Sequence, residues 1–414
     1  MSADRRVFVV AGAGLAGAKT AETLREEGFG GRIVLVGAES EPPYERPPLS
    51  KELLRGEHGR EQTFVHEPGF YTAHDIELRT GAAVVSLDPG RRRLALDGGE
   101  ELAFDALLLA TGAHPRRLSI PGADLDGILY LRTLADSETL RTRLAGAGRL
   151  IVVGAGWIGA EVAASARQLG VEVSLIDPLS VPLERVLGVE VGTVYRDLHI
   201  AHGVEMLLGT SVAAFEGAGR VERVRTEDGR VIEGDLVVVG VGVQPATEIA
   251  AAAGLAVADG ILVDARLQTS APGIYAAGDV ANHRPPRLGR LRVEHWDTAL
   301  HQGPAAARAM LGGAEPYDRL PYFFSDQYDV GMEYAGFART WDRVVFRGDP
   351  ATREFIAFWL VADRVVAGMN ANVWDVTDPI QRLIRDRVAV DDRRLVDLDV
   401  SLEDLVPADA GSAA

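Results

Sequence analysis

The feature that most restricts the fold of this chain is a glycine pattern that occurs twice in the same setting. Residues 7–17 read VFVVAGAGLAG, an apolar run that ends in Gly12, Gly14 and Gly17. A helical stretch, AKTAETLREEG, closes at Gly28, and a second apolar run, RIVLVGAE, follows. Residues 150–159 read LIVVGAGWIG, with Gly154, Gly156 and Gly159, then AEVAASARQLG and VEVSLID. Each copy is strand, tight turn, helix, strand, with GxGxxG at the turn, the unit that holds a dinucleotide. The first glycine permits the sharp turn, the second lets a pyrophosphate approach the backbone, and the third lets helix and strand pack closely. Free N–H groups and the helix dipole then favour the phosphate charge. One copy would be weak evidence, because glycine turns occur throughout α/β proteins. Two complete copies, their first glycines 142 residues apart, predict two bound dinucleotides.

The strand ends suggest which dinucleotides. Asp177 lies 18 residues after Gly159, where an acidic group holds an adenosine ribose. PLSVPL follows it, without arginine or histidine to meet a 2′-phosphate, and the nearest cation is Arg185. A carboxylate repels that phosphate, so the second site is expected to prefer NADH over NADPH. The first unit offers Gly37, Ala38 and Glu39, with Glu39 22 residues past Gly17.

Composition narrows the class. A chain of 414 residues, 47% hydrophobic and 25% charged, predicts two or three globular domains. No apolar run reaches the roughly 18 residues of a membrane span. The first residues enter a strand-like run without a signal-peptide layout, so a cytoplasmic enzyme is expected. A net charge of −17 argues against nucleic acid. Cysteine is absent, which removes disulfides, thiolate metal sites and cysteine nucleophiles together. His199 and His202 lie three apart, and no histidine shows metal-like spacing, so no metal site is expected.

Further segments carry a resemblance. DALLLATGAHPR (105–116) and GIYAAGDVA (273–281) are apolar runs ending in Thr111-Gly112 and Gly278-Asp279, and LVVVGVGVQP (236–245) plays the matching part in the second unit. YERPPLSKELL (44–54) holds Lys51, one of two lysines in a chain that otherwise uses arginine. With GAGWIGAEVAA (154–164), RVEHWDTALHQG (292–303) and PYFFSDQYDVGMEYAG (321–336), these stretches resemble the FAD-dependent pyridine-nucleotide oxidoreductases of the glutathione-reductase type. Among them the likeness is to the NADH-dependent ferredoxin reductases that feed oxygenases and haem monooxygenases, with apoptosis-inducing factor more distant. The matches run from about residue 7 to about residue 400.

The resemblance implies an α/β fold: two Rossmann-like, three-layer dinucleotide-binding domains and a C-terminal α+β domain. Residues 1–115 and 246–318 would form a discontinuous FAD domain, 116–245 the NAD domain, 319–406 the C-terminal domain, and 407–414 a disordered tail. FAD would be held by Gly12, Gly14, Leu15, Ala16, Gly17, Glu39 and Arg46, the last at the pyrophosphate. Val84, Ala110, Thr111, Gly112, Arg132, Gly278 and Asp279 would join them, Asp279 at the ribityl chain. Glu294, His295 and Trp296 would lie near the ring, with Trp296 as its cover and His295 structural. NAD would meet Gly154, Gly156, Trp157, Ile158, Gly159, Glu161, Asp177, Val241 and Gly242. Lys51 would sit beside flavin N5, paired with Glu161, as the catalytic pair; a lysine ammonium is a compact point charge, unlike a planar guanidinium. Relatives carry an acid where this chain has Ala38, so either Glu39 takes over the ribose with a small shift or that contact is weaker here.

Hydride would pass from NADH to FAD, the protein's part being near-attack positioning. Without cysteine, the electrons must leave the flavin directly, to a small acceptor or another protein's metal centre; the resemblance implies an iron–sulfur ferredoxin that is a separate, acidic protein. It would dock on Arg284, Arg287, Arg290 and Arg292, or on Arg339, Arg343 and Arg347. Two alternatives stay open: an NADH oxidase or quinone reductase with no protein acceptor, and an NADH-responsive binding protein like apoptosis-inducing factor. No amphipathic membrane-docking helix is evident, and a monomer or weak homodimer is expected. Near the end, DRVVFRGD, REFIAFWLV and DRVVAGMNAN predict antiparallel strands with a turn at Ala362-Asp363. TDPIQRLIRD predicts a helix with Thr377 or Asp378 as N-cap and Pro379 first in the helix.

Overall fold

The computed structural model describes residues 4–406; the tail expected at 407–414 lies outside them. The chain divides into two compact units. The first comprises Met1–Arg46, Arg60–His114 and Val243–Pro321. Its centre is a five-stranded sheet in the order Ile274–Ala276, Ala106–Leu109, Val7–Ala11, Arg32–Val36, Ile76–Arg79, with every neighbouring pair parallel. These strands read as unbroken apolar runs because both faces of the sheet are covered. The helices Leu15–Glu26 and Trp296–Met310 pack at backbone distance, since Thr20 Oγ1 donates to Gly303 O at 3.0 Å. An antiparallel meander, Val84–Asp88, Arg93–Leu96 and Glu101–Ala103, adds Leu87, Leu94 and Leu102 to the same core. Strand order reverses at Val7–Ala11, so the crevice of the doubly wound sheet opens at the carboxyl end of that strand.

The second unit comprises Pro47–Gly59, Pro115–Gly242 and Tyr322–Ala414. It repeats the plan: Glu205–Leu208, Glu172–Asp177, Arg149–Val153, Leu236–Val239 and Ile128–Leu129 form a parallel sheet whose order reverses at Arg149–Val153. A second meander, Val212–Glu216, Arg223–Thr226 and Val231–Glu233, packs Phe215, Val224 and Ile232 with Ile151 and Val237. The stretch YERPPLSKELL is therefore divided, with Pro47–Gly59 tied to the second unit. Ser137 Oγ donates to Leu49 O at 2.7 Å and Ser165 Oγ to Ser50 O at 2.6 Å.

Residues from Tyr322 onward form an antiparallel sheet in the order Tyr322–Gln327, Val330–Gly336, Arg364–Ala371, Glu354–Val361, Arg343–Asp349. The hairpin at Ala362-Asp363 is present, with Val361 opposite Arg364 and both turn residues at positive φ, 46° and 60°. That is the twist a two-residue hairpin turn requires. The following helix departs from expectation. It runs Thr377–Arg385 with Val376 at the N-cap, so Pro379 is the third helical residue. Thr377 is drawn away from capping because its hydroxyl donates to Glu333 Oε2 at 2.9 Å on the neighbouring strand. Pro379 is tolerated because a first-turn N–H has no intrahelical partner. Among the described residues, no helix is long and apolar enough to cross a membrane.

Candidate active site

In the first unit Gly12, Gly17, Ala110, Thr111, Ala16 and Gly278 come together at the carboxyl end of the central strand. Gly12 has φ of 121°, and a side chain there would bring its first carbon within 2.1 Å of Ala110 O. The first fingerprint turn thus rests directly on the Ala110–Gly112 loop. A carbon added at Gly17 would stand 2.0 Å from Gly12 O, which forces the close packing of helix on turn. Gly14 differs: nothing lies within 4 Å of where its side chain would begin. It is also the N-cap of Leu15–Glu26, with no side chain capping the helix. Open space over an uncapped helix start, with Leu15 and Ala16 buried behind it, fits a phosphate.

A side chain at Gly278 would meet Ala16 Cβ at 3.2 Å, which puts Gly278 and Asp279 beside the same helix start. Thr111 Oγ1 donates to Ala246 O at 2.8 Å. Val84 lies two residues beyond Ala82, whose N–H donates to Gly37 O at 2.9 Å. Glu294 pairs with Arg292, while His295 caps and Trp296 opens the helix Trp296–Met310. The Glu39 carboxylate is already engaged: Tyr44 Oη donates at 2.5 Å and Arg46 Nη2 at 2.9 Å. Arg132 belongs to the second unit, where its N–H donates to Asp136 Oδ2 at 3.1 Å.

The second unit reproduces the turn. Gly154 has φ of 101° and would collide with Gly240 O at 2.4 Å if it carried a side chain. Gly159 would meet Gly154 O at 1.9 Å, and Gly156 faces open space. Val241 and Gly242 follow the adjacent strand, and Gly242 O accepts the Arg116 N–H at 2.9 Å. Both oxygens of Asp177 accept backbone N–H groups, Oδ2 from Ala155 at 2.6 Å and Oδ1 from Leu179 at 2.8 Å. The acid thus holds the fingerprint loop as well as marking the end of the strand. Trp157 presents its ring edge-on to Phe323, centroids 4.7 Å apart, whereas Ile158 is exposed.

Lys51 and Glu161 do come together. Both are buried, at 3% and 6% exposure, and Lys51 Nζ stands 3.8 Å from Glu161 Oε1. Ser50 Oγ donates to Glu161 Oε2 at 2.5 Å and Ser325 Oγ to Oε1 at 2.7 Å. The ammonium also lies over the Phe324 ring, 5.1 Å from its centroid. Ser50, Phe324 and Ser325 were not singled out as site residues from the sequence. The available signal was the strand Tyr322–Gln327, which turns Phe323, Ser325 and Gln327 inward, two of them polar at core positions.

The two arginine clusters are largely committed to internal contacts. Arg287 pairs with Asp318 at 2.9 Å, Arg292 with Asp259 at 2.9 Å, and Arg290 donates to Asn282 O at 2.6 Å. Arg343 bridges Asp363 and Asp392, and Arg347 is buried.

Comparison with known proteins agrees with this geometry. Residues 6–303 match the family described as "Pyridine nucleotide-disulphide oxidoreductase", and residues 322–406 match "Reductase C-terminal". The anthranilate 1,2-dioxygenase system ferredoxin–NAD(+) reductase component of Burkholderia cepacia is 41% identical, covering 97% of this chain and 99% of its own length. Putidaredoxin reductase of Pseudomonas putida is 37% identical over 99% and 98%. Among solved structures, the ferredoxin reductase for the CYP199A2 system from Rhodopseudomonas palustris superposes with a TM-score of 0.94, at 38% identity over 97% of this chain and 100% of that one. The reductase in the covalent putidaredoxin reductase–putidaredoxin complex gives 0.93, at 36% identity over 97% and 98%. With two fingerprint turns of one geometry and these matches along its length, the chain belongs to the pyridine nucleotide-disulphide oxidoreductase family, as an FAD- and NADH-dependent flavoprotein with a C-terminal reductase domain.

Proposed function

We propose that this protein is a ferredoxin–NAD(+) reductase, drawing electrons from NADH and passing them singly to an iron–sulfur ferredoxin that serves an oxygenase or haem monooxygenase. The observation that carries the reading is the buried Lys51–Glu161 pair in a chain with no cysteine. Relatives' names supply the acceptor: each of those described above is a reductase of a ferredoxin or putidaredoxin system. Without a cysteine to relay electrons, none is routed through a thiol or disulfide.

Bound FAD would supply the chemistry, accepting two electrons together and releasing them one at a time. The residues divide the rest of the work. The backbone at Gly14 holds the flavin pyrophosphate and that at Gly156 the NADH pyrophosphate. Asp177 receives the ribose and excludes a 2′-phosphate. Lys51 would offer a positive charge to the bound flavin, whose reduction would add negative charge, and Glu161 balances that ammonium. Arg46, Glu39, Asp279 and Arg132 contribute to FAD binding, and Trp296 covers the ring. The division into a discontinuous FAD domain (1–115 and 246–318), an NAD domain (116–245) and a C-terminal domain (319–406) is part of this reading. So are a separate acidic ferredoxin, a cytoplasmic setting and a monomer or weak homodimer.

NADH-driven cytochrome c reduction, with and without an added bacterial ferredoxin, tests the acceptor. Strong stimulation by ferredoxin is expected. Little stimulation across several ferredoxins, with brisk oxygen or quinone reduction, would instead identify an oxidase.

A further inference from the structure

The Glu161 carboxylate is the end of a longer hydrogen-bonded chain that crosses the interior of the second unit. Ser325 Oγ meets Glu161 Oε1 at 2.7 Å, and Gln327 Nε2 meets Ser325 Oγ at 3.3 Å. His199 Nε2 meets Gln327 Oε1 at 2.9 Å, and Tyr328 Oη meets His199 Nδ1 at 3.2 Å. Ser325, Gln327 and His199 are 1%, 1% and 0% exposed. Three polar side chains placed this deep are costly unless every group is satisfied, and here each is bound to the next.

The direction of the chain follows from the donor inventory. A carboxylate only accepts, so the single hydroxyl proton of Ser325 points at Glu161. Ser325 Oγ must then accept, which turns the Gln327 NH₂ toward it and the Gln327 carbonyl toward His199. His199 therefore donates from Nε2, leaving Nδ1 to accept the Tyr328 hydroxyl proton. Burial pushes the His199 imidazole down to about 4, so it stays neutral and keeps this one-donor form near neutral pH. All four donors point the same way, toward the negative charge. An amide in the middle also means that the chain orients rather than conducts protons.

Its effect on Lys51 is visible in the distances. With Oε2 taken by Ser50 at 2.5 Å and Oε1 by Ser325 at 2.7 Å, the ammonium stands 3.8 Å away, ion-paired but beyond hydrogen-bond reach. Its N–H donors are thereby left for another acceptor. We propose that Ser325, Gln327 and His199 are positioning residues that hold the Glu161 carboxylate so that Lys51 keeps its N–H donors for the flavin instead of collapsing onto its own counter-ion. The inference rests on the reading of Lys51 and Glu161 given above.

The test is the flavin midpoint potential of the FAD-loaded protein, measured by spectroelectrochemistry, with FAD content and melting temperature as controls. Lys51→Met sets the scale: loss of the cation lowers the potential. Ser325→Ala is expected to lower it in the same direction, Gln327→Leu by less, and Ser325→Thr, which keeps the hydroxyl, to restore it. Should Ser325→Ala not retain FAD, Gln327→Leu against wild type asks the same question. Wild-type potentials in both Ser325→Ala and Gln327→Leu, with Lys51→Met shifted, would overturn the positioning role and leave the reading of Lys51 standing. An unshifted Lys51→Met would overturn that reading and this proposal with it.

Discussion

Gly154 and Gly156 stand two residues apart and obey different constraints. At Gly154 the backbone is left-handed and the Gly240 carbonyl lies 2.4 Å from any added carbon. Gly154→Ala is therefore expected to destabilise the protein by about 1–3 kcal/mol, read as a lower melting temperature without nucleotide. At Gly156 the space is open, so Gly156→Ala should melt like wild type. Its methyl group would stand where the pyrophosphate approaches, raising KM for NADH roughly tenfold, which corresponds to ~1.4 kcal/mol. A melting loss at Gly156 or an unchanged KM would refute that assignment. Both roles were legible in the sequence, because the spacing of a turn is local. The contacts of Glu39 were not, because its partners Tyr44 and Arg46 reach it through a loop whose path the pattern does not encode.

At the scale of elements, the hairpin joining Glu354–Val361 to Arg364–Ala371 forms where the turn chemistry placed it, although Ala362 at φ 46° is not a residue that favours this region. Ala362→Gly is expected to relieve ~1 kcal/mol and raise the melting temperature. Arg347 behaves unlike a docking residue. Its guanidinium donates to Asp397 O at 2.6 Å and Val400 O at 2.7 Å, clasping the chain that follows the helix Asp392–Val396 to the strand Arg343–Asp349. Arg347→Leu would remove the donor from these part-buried carbonyls and should loosen residues 391–406, seen as faster amide exchange there. The ferredoxin-dependent rate should lose salt sensitivity only if the residue also meets the partner. Charge in a sequence does not separate these roles, because an arginine on a strand looks the same whether it faces solvent or a loop that returns much later in the chain.

For the whole molecule, the three imidazoles His199, His283 and His295 couple stability to acidity. Burial holds all three at about 4, against the ordinary 6.5. Between those values the unfolded chain binds protons that the folded one refuses, so stability falls as pH drops from about 6.5 toward 4. The melting temperature should decline across that window, and a flat profile there would contradict it. By itself, the sequence determined the two strand–turn–helix–strand units, the dinucleotides they imply and, through absent cysteine, the exclusion of thiol relays. These follow from short-range periodicity and steric rules that need no partner from afar. Only the tertiary structure decided that Pro47–Gly59 packs with the second unit, and that Glu161 is held by Ser50 and Ser325 at the end of a chain reaching His199. The segments that meet there are 111 to 164 residues from Glu161 on either side. Which of many buried polar groups finds which partner is settled by packing, where an unsatisfied donor is too costly to leave, and not by any local pattern.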